Sequence, residues 1–344
     1  MTTSAGLDAP ATRATPMAIT MGDASGVGPE IVLRRAAAGV LDDDVIVFGD
    51  ASVLRAGAAL LDLLVDVHVI SDPADRRSGA LNVIDLGLLS AAELTPGVLS
   101  AAAGAAARAY VLAATHAALK GTVAGLVTMP MNKEATQLTD PTFVGHTELI
   151  AATCGVSNYS MMLAAGELAV THVSTHVSLR QAIERVTTQR VGDVIALTHA
   201  TLSAFVSHPR IAVCGLNPHA GEHGLFGDED ARHIAPAIEA ARARGIDASG
   251  PHPADTVFHQ AVHRKRYDAI VCMYHDQGHT PMKLLAFESG VNITIGLPIV
   301  RTSVDHGTAF DIAWQGVAFT ESLQHALQWA RRLAPGDSAQ TADG

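Results

Sequence analysis

Short apolar runs alternate with segments of helical periodicity along most of the chain. The runs are rich in Val, Ile, Leu and Ala and end at polar or glycine residues, which is typical of buried β-strands. We predict strands over residues 17–21, 45–48, 65–70, 125–129, 160–164, 168–173, 211–216, 269–273 and 292–295. Helical spacing predicts α-helices over residues 29–38, 99–119, 190–207, 228–244 and 319–333. This alternation indicates an α/β protein whose largely parallel sheet, or sheets, is covered on both faces.

The composition supports a large buried core and excludes some classes of partner. Of the 344 residues, 48% are hydrophobic and 17% are charged, with a mean hydropathy of +0.24. A chain of this length is expected to form more than one lobe. The net charge of −11 argues against a broad nucleic-acid-binding surface. Segment 99–119 is dominated by alanine and contains Arg108 and His116, which favours a core helix over a membrane span.

The cysteine content favours a reducing, cytoplasmic location, and the two ends of the chain are predicted to be loose. Cys154, Cys214 and Cys272 lie far apart and form no CxxC pair, so no disulfide framework is expected. Residues 1–16 lack the basic start and apolar block of a secretory signal and predict a disordered lead-in. Residues 335–344 are small and polar and predict a loose tail.

Three histidines follow strand-like runs in separate parts of the sequence. They are His176 in VSTH, His219 in LNPH and His275 in VCMYH. Because α/β folds place their sites at the carboxyl ends of strands, we expect these imidazoles to converge on one divalent metal with open positions. Zinc suits such ligands best, while cobalt, manganese and magnesium remain open. We assign His172 a supporting role, orienting its neighbours.

Other polar residues suggest an anionic ligand beside these histidines. Lys283, Asn292 and Arg301 surround the same segments, and the arginine fork matches carboxylate or phosphate oxygens. A pair between Arg301 and Asp305 is the alternative explanation for that arginine. His146 and Thr147 begin a helix in GHTE, where a simple helix cap is favoured over anion binding.

Two further segments have both a functional and a structural interpretation. Asp255 in PADT precedes an apolar helix, where a cap is a reasonable role. The glycine-rich segment MGDASGVGPE, residues 21–30, follows a strand and places Pro29 in the first helical turn. Its spacing is neither GxGxxG nor a Walker loop, so an anion-binding loop and a tight turn are about equally favoured.

Taken in order, these motifs resemble the 4-hydroxythreonine-4-phosphate dehydrogenase family. They are GDASGVGPE, NKE with GHTE, STHVSLR, LNPHAGE, PADTVF, MYHDQGHTPMK and VNITIGLPIVRTSVDHGTAFDIA. The resemblance runs from about residue 17 to residue 333 and is closer to the D-threonate/D-erythronate 4-phosphate dehydrogenase branch. The chain departs from the family pattern at Ala24 and Ser25, where the family usually has Pro-Ala, and at Met129, where a smaller residue is common.

The resemblance implies a two-lobed α/β/α subunit like those of isocitrate and isopropylmalate dehydrogenases. The first lobe would comprise residues 17–130 plus about 302–334, and the second, with the dimer interface, residues 131–301. It implies a homodimer with shared active sites, in which His176, His219 and His275 hold the metal. The substrate-binding positions of the family fall on His146, Thr147, Lys283, Asn292 and Arg301. Asp255 matches an acid that reaches the partner's site.

The implied reaction is an NAD-dependent and divalent-metal-dependent oxidation with decarboxylation. The substrate would be a four-carbon 4-phosphorylated hydroxy acid: D-threonate or D-erythronate 4-phosphate, giving dihydroxyacetone phosphate, or 4-phosphohydroxy-L-threonine. Asp255, or Lys283 acting through water, is the expected base, whereas the NAD-contacting residues are not assigned. The alternatives are a cis-dihydrodiol dicarboxylate dehydrogenase of the same family and a metal-dependent hydrolase or aldolase.

Overall fold

The computed structural model describes residues 14–287 and 289–334, so most of the predicted lead-in and the whole predicted tail lie outside the described residues. The strands are β1 (Met17–Thr20), β2 (Val45–Gly49), β3 (Val67–Ile70), β4 (Leu81–Asp85), β5 (Gly125–Thr128), β6 (Ser160–Ala165), β7 (Leu168–His172), β8 (Ile211–Cys214), β9 (Ala248–His252), β10 (Ala269–Cys272), β11 (Val291–Ile295) and β12 (Val300–Ser303). The helices are α1 (Gly28–Ala37), α2 (Ala51–Leu60), α3 (Ala101–Leu119), α4 (Lys133–Gln137), α5 (His146–Thr153), α6 (Leu179–Arg185), α7 (Thr188–Leu202), α8 (Ala235–Ala243), α9 (Ala254–Arg264), α10 (His275–Ala286) and α11 (Glu321–Leu333).

The described strands form one continuous 12-stranded sheet in the order β3-β4-β2-β1-β5-β12-β11-β6-β7-β10-β8-β9. Pairing is parallel from β3 to β12 and again from β7 to β9, and antiparallel from β12 through β11 and β6 to β7. The predicted α/β class with a largely parallel sheet is confirmed. Since the sheet is continuous, the division into two lobes stays a prediction.

The core lies on both faces of this sheet. Every residue of β1, β2, β5, β8 and β10 is buried, which explains why these strands are continuous apolar runs rather than alternating ones. One large apolar cluster spans the half of the sheet around β1 and β5, and two smaller ones cover the β7-β10-β8 region. In α3, Gly104 allows close packing, since an added Cβ would lie 2.4 Å from the carbonyl carbon of Ala135. Within the described residues, we found no helix with the length and apolarity needed to span a membrane.

Three strands and four helices were not predicted from the sequence, and one predicted helix is interrupted. The four helices are α2, α4, α6 and α10. β4, β9 and β12 were not predicted, because each is short and carries polar, glycine or proline residues. Arg301 therefore lies inside β12 rather than after a strand. The predicted helix 228–244 is interrupted by a π-helical turn at Asp230–Ile234 before α8 begins. Pro236 lies at this junction and donates no backbone hydrogen bond, which explains the break.

Substitution of Gly57 tests how tightly α2 packs against Trp314. A Cβ at Gly57 would lie 2.0 Å from Cζ3 of Trp314, whose indole Nε1 donates to the carbonyl of Ala24 at 2.8 Å. We expect Gly57→Ala to lower the free energy of unfolding by about 3 kcal/mol, because the indole is held in place. Gly192→Ala in α7 is the matched control: with nothing within 4 Å of the added methyl, it should stabilise by about 0.5–1 kcal/mol. Denaturant unfolding compares the two, and equal effects would contradict the packing.

Candidate active site

The structure gathers four histidines at the carboxyl ends of β7 and β10. The rings of His176 and His275 lie 5.5 Å apart between centroids, and His275 stacks on His279 at 3.9 Å. His172 is the last residue of β7, and its ring lies 4.7 Å from that of His279. Because β7 ends at His172, His176 lies beyond the strand. His279 was not assigned a role from the sequence, although its position one turn after His275 places both on one side of α10.

His219 lies on an unusual loop between β8 and α8. Five successive residues, from His219 to His223, have positive φ angles of 39° to 81°. Only glycine adopts this conformation freely, and for other residues it costs about 1–2 kcal/mol each. Asp230 holds the entrance to the loop: its Oδ1 accepts from the Leu216 amide at 2.8 Å, and its Oδ2 accepts from the Asn217 side chain at 2.9 Å. Asp230 therefore anchors a strained loop, and this loop determines the position of the His219 side chain.

Within one chain, the described residues do not assemble the predicted three-histidine centre. The side chain of His219 is 60% exposed and contacts Glu222 and Phe226 of its own loop. No group of three His, Cys, Asp or Glu side chains in the described ranges is arranged to hold a metal ion. The structure thus brings His176 and His275 together without His219, and the shared centre stays a prediction.

The individual imidazoles nevertheless suit a divalent cation. Nδ1 of His275 lies 2.7 Å from Oδ1 of Asp276, and Nδ1 of His219 lies 3.1 Å from Oε2 of Glu222. In each pair the carboxylate accepts from Nδ1–H, which leaves the Nε2 lone pair available to a metal. Burial, followed by repulsion from His275, lowers the pKa of His176 and favours its neutral, ligating form. The donor set therefore fits the metal that the sequence predicts.

A buried pair of histidines lies behind these residues. Nδ1 of His172 is 3.3 Å from the carbonyl of Met161, and Nδ1 of His279 is 3.1 Å from Nε2 of His172. Because a carbonyl only accepts, His172 donates through Nδ1 and accepts at Nε2 from His279. Burial lowers the pKa of His172 to about 3 and that of His279 to about 4, so both rings are neutral. His172 thus orients His279, which in turn stacks on His275.

Arg301, which the sequence predicts to bind an anion, is a buried residue of β12. Its side chain is 5% exposed, and its Nη atoms donate to the hydroxyls of Thr128 at 2.8 Å and Thr294 at 2.9 Å. Thr147 lies further off, at 3.5 Å. Asp305 binds Lys283 and Asn292 instead of Arg301, so the Arg301–Asp305 alternative is wrong in the described structure. Burial lowers the pKa of Arg301 to about 10, which leaves it charged at neutral pH.

Three of the five predicted substrate residues present a buried polar atom without a partner in the described structure. These atoms are Nε2 of His146, Oδ1 of Asn292 and Nε of Arg301. An unpaired buried polar atom costs about 1–3 kcal/mol, and such atoms are uncommon unless a ligand or water satisfies them. Of the predicted site residues, Thr147 and His176 line a cleft of about 590 Å³. This arrangement fits a small ligand with both anionic and hydroxyl groups.

Asp255 and the glycine-rich segment lie differently from this pocket. Asp255 is exposed in the first turn of α9. The glycine-rich segment is buried, and α1 begins at Gly28 with Pro29 next, as predicted. Gly22 has φ +79°, and a Cβ there would lie 2.5 Å from the carbonyl oxygen of Pro130. Close packing thus requires glycine here, which favours the tight-turn interpretation.

The burial of His146 predicts that the free energy of unfolding depends on pH. Burial, followed by repulsion from Arg301, lowers the pKa of His146 to about 3, far below its ordinary value. The unfolded chain therefore binds an extra proton between about pH 6.5 and 3, and stability is lost as the pH falls through that range. We expect about 2 kcal/mol less stability at pH 5 than at pH 7 from this residue alone.

Denaturant unfolding at both pH values, with a chelator throughout, measures this loss. His146→Gln should lack it, whereas His208→Gln at an exposed position should keep it. An identical pH dependence in His146→Gln and the unmodified chain would show that His146 is not buried in its neutral form.

The fold and the site together define an α/β enzyme. Its imidazoles lie at the carboxyl ends of β7 and β10, and its buried guanidinium lies in β12. The family model described as pyridoxal phosphate biosynthetic protein PdxA matches residues 42–330. The chain belongs to this family.

Similarity to individual proteins extends over nearly the whole chain. It is 46% identical to the D-threonate 4-phosphate dehydrogenase of Pectobacterium atrosepticum, covering 92% of this chain and 99% of that one. The crystal structure of 4-hydroxythreonine-4-phosphate dehydrogenase from Klebsiella pneumoniae superposes with a TM-score of 0.87 at 44% identity, covering 94% and 100%. A terephthalate 1,2-cis-dihydrodiol dehydrogenase from Burkholderia xenovorans gives 0.69 at 30% identity, covering 94% and 100%.

Proposed function

We propose that this dehydrogenase oxidises and decarboxylates a four-carbon 4-phosphorylated hydroxy acid with NAD. D-Threonate or D-erythronate 4-phosphate is the favoured substrate and gives dihydroxyacetone phosphate, with 4-phosphohydroxy-L-threonine as the related candidate. The observation that carries the proposal is the set of buried, unpaired polar atoms on His146, Asn292 and Arg301, which match a ligand that is both anionic and hydroxylated. The 46% identity to a D-threonate 4-phosphate dehydrogenase supports this substrate class.

The predicted substrate residues bind different groups of the acid. Arg301 and Lys283 neutralise the anionic groups of the acid, and Thr147 lies beside the Arg301 end. Oδ1 of Asn292 receives a hydrogen bond from a hydroxyl group, and Nε2 of His146 donates or accepts one according to its tautomer. Fixed, buried partners of this kind orient a small substrate before reaction.

The reaction needs a base, a hydride acceptor and a route for the carboxylate to leave. When bound by the histidines, a divalent cation (zinc, cobalt, manganese or magnesium) supplies a Lewis acid that favours ionisation of the reacting hydroxyl. Asp255, or Lys283 through water, takes the hydroxyl proton while the hydride passes to NAD. The resulting β-keto acid loses carbon dioxide and takes up a proton. Asp255 is exposed on α9, so we assign it to the site of a second copy.

The positions of the histidines support a homodimer with shared active sites. His219 lies on an exposed loop, away from the pair formed by His176 and His275. The same loop exposes Leu225 by 71% and Phe226 by 44%, which is unusual for large apolar side chains unless another surface covers them. We propose that His219 of one subunit completes the histidine pair of the other. The three cysteines are free thiols, as expected for the cytoplasmic location we propose.

A cis-dihydrodiol dicarboxylate dehydrogenase is the second candidate, favoured by the 30% identity to the Burkholderia xenovorans enzyme. A panel of acids separates the two: D-threonate 4-phosphate, D-erythronate 4-phosphate, 4-phosphohydroxy-L-threonine and an aromatic cis-dihydrodiol dicarboxylate. Each is incubated with NAD while NADH and carbon dioxide are followed. We expect both products, in equal amounts, from a phosphorylated acid. Turnover of the dihydrodiol alone would reject the proposed substrate class.

A further inference from the structure

Asp305 joins two of the predicted substrate residues from separate elements. It follows β12, and its side chain is 14% exposed. Its Oδ2 binds Nζ of Lys283 from α10, and its Oδ1 accepts from Nδ2 of Asn292 in β11 at 2.8 Å. Each carboxylate oxygen therefore has a donor that also belongs to the pocket.

This contact decides which end of the Asn292 amide is left without a partner. A carboxylate only accepts hydrogen bonds, so the NH₂ end must turn toward Asp305. The carbonyl Oδ1 then points away from Asp305, and it is buried without a partner. The two ends of an amide look alike in shape, so the choice of acceptor or donor comes from Asp305 and not from Asn292 itself.

We propose that Asp305 is a positioning residue that sets substrate specificity by holding Asn292 as a hydrogen-bond acceptor. Given the proposed function, the matching group is the hydroxyl next to the one that is oxidised, at C2 of the acid. An analogue without that hydroxyl leaves Oδ1 buried and unpaired, which penalises its binding. Substitution of an amide for the Asp305 carboxylate removes the constraint, because an amide can donate as well as accept.

The test compares D-erythronate 4-phosphate with its 2-deoxy analogue in two assays, kcat/KM with NAD and binding by calorimetry. We expect the unmodified enzyme to prefer the hydroxylated acid by about 100-fold and Asp305→Asn to reduce that preference to about 10-fold or less. Asn292→Ala should reduce it similarly, and the two changes together should have little more effect than one. Asp311→Asn makes the same chemical change at an exposed position and should alter nothing.

The two assays keep this inference separate from the proposed function. If the unmodified enzyme oxidises none of the phosphorylated acids of the panel, the proposed function fails, and the ratio of binding constants still decides the role of Asp305. Lys283→Met should weaken both acids equally, because it leaves the contact between Asp305 and Asn292 in place. An Asp305→Asn enzyme that loses affinity for both acids by the same factor would overturn the inference and make Asp305 a structural residue. If Asp305→Asn does not fold, the substrate preference of Asn292→Ala tests the inference. A preference equal to that of the unmodified enzyme would overturn it.

Discussion

Replacing His219 with alanine is expected to remove the bound divalent metal and to lower NADH formation by at least about a thousandfold while the fold survives. The fold should survive because the His219 side chain is 60% exposed and contacts only its own loop among the described residues. Metal should be lost because the pair formed by His176 and His275 cannot hold a cation tightly with two imidazoles alone. Metal analysis after gel filtration, circular dichroism and NADH absorbance measure the three outcomes.

His223→Ala is the matched control for this change. His223 lies on the same loop with a positive φ of 56°. Alanine at this position must adopt the same kind of left-handed backbone conformation, but no proposed metal ligand is removed. It should retain metal and turnover. If His219→Ala keeps its metal and its full activity, the proposed three-histidine centre is wrong.

Arg301→Lys is expected to lower kcat/KM by about 100-fold, chiefly through a higher KM. The guanidinium uses its two Nη atoms on Thr128 and Thr294 and still has Nε free for the ligand. One ammonium group cannot make all these bonds, so at least one buried hydroxyl loses its partner. Burial already lowers the pKa of Arg301 to about 10, and a lysine there would lose its charge more readily.

Steady-state kinetics over a range of substrate concentrations measure this effect. Arg210→Lys, at a surface ion pair with Asp268, makes the same substitution outside the site and should leave both constants unchanged. If Arg301→Lys also leaves KM and kcat unchanged, Arg301 supports the sheet rather than the substrate.

The apolar runs predicted most of the fold because parallel strands buried on both faces must be apolar throughout. β12 could not be predicted in this way, since its sequence VRTS carries three polar residues. It forms because Val300 to Ser303 lie between β5 and β11 and pair with both. The pairing with β5 joins residues about 175 positions apart along the chain, such as Val300 and Gly125.

The candidate site was predictable only in part, for a related reason. His176 and His275 lie beyond the carboxyl ends of β7 and β10, and their positions after strand-like runs indicated this. Nothing local in the sequence indicates that Asp305 binds Lys283 and Asn292, because three separate elements meet there. The left-handed loop that carries His219 was also missed, since glycine occurs at only one of its five residues with positive φ.

The place of β12 in the sheet also constrains how the protein is made. β5 emerges from the ribosome long before β12, its neighbour in the finished sheet. Until residues 300–303 appear, the edges of β5 and β11 have unpaired backbone groups that invite association with other chains. Residues 300–303 must therefore be translated before the central strands are protected, and a stop codon shortly before β12 should yield an aggregating product rather than a smaller working domain.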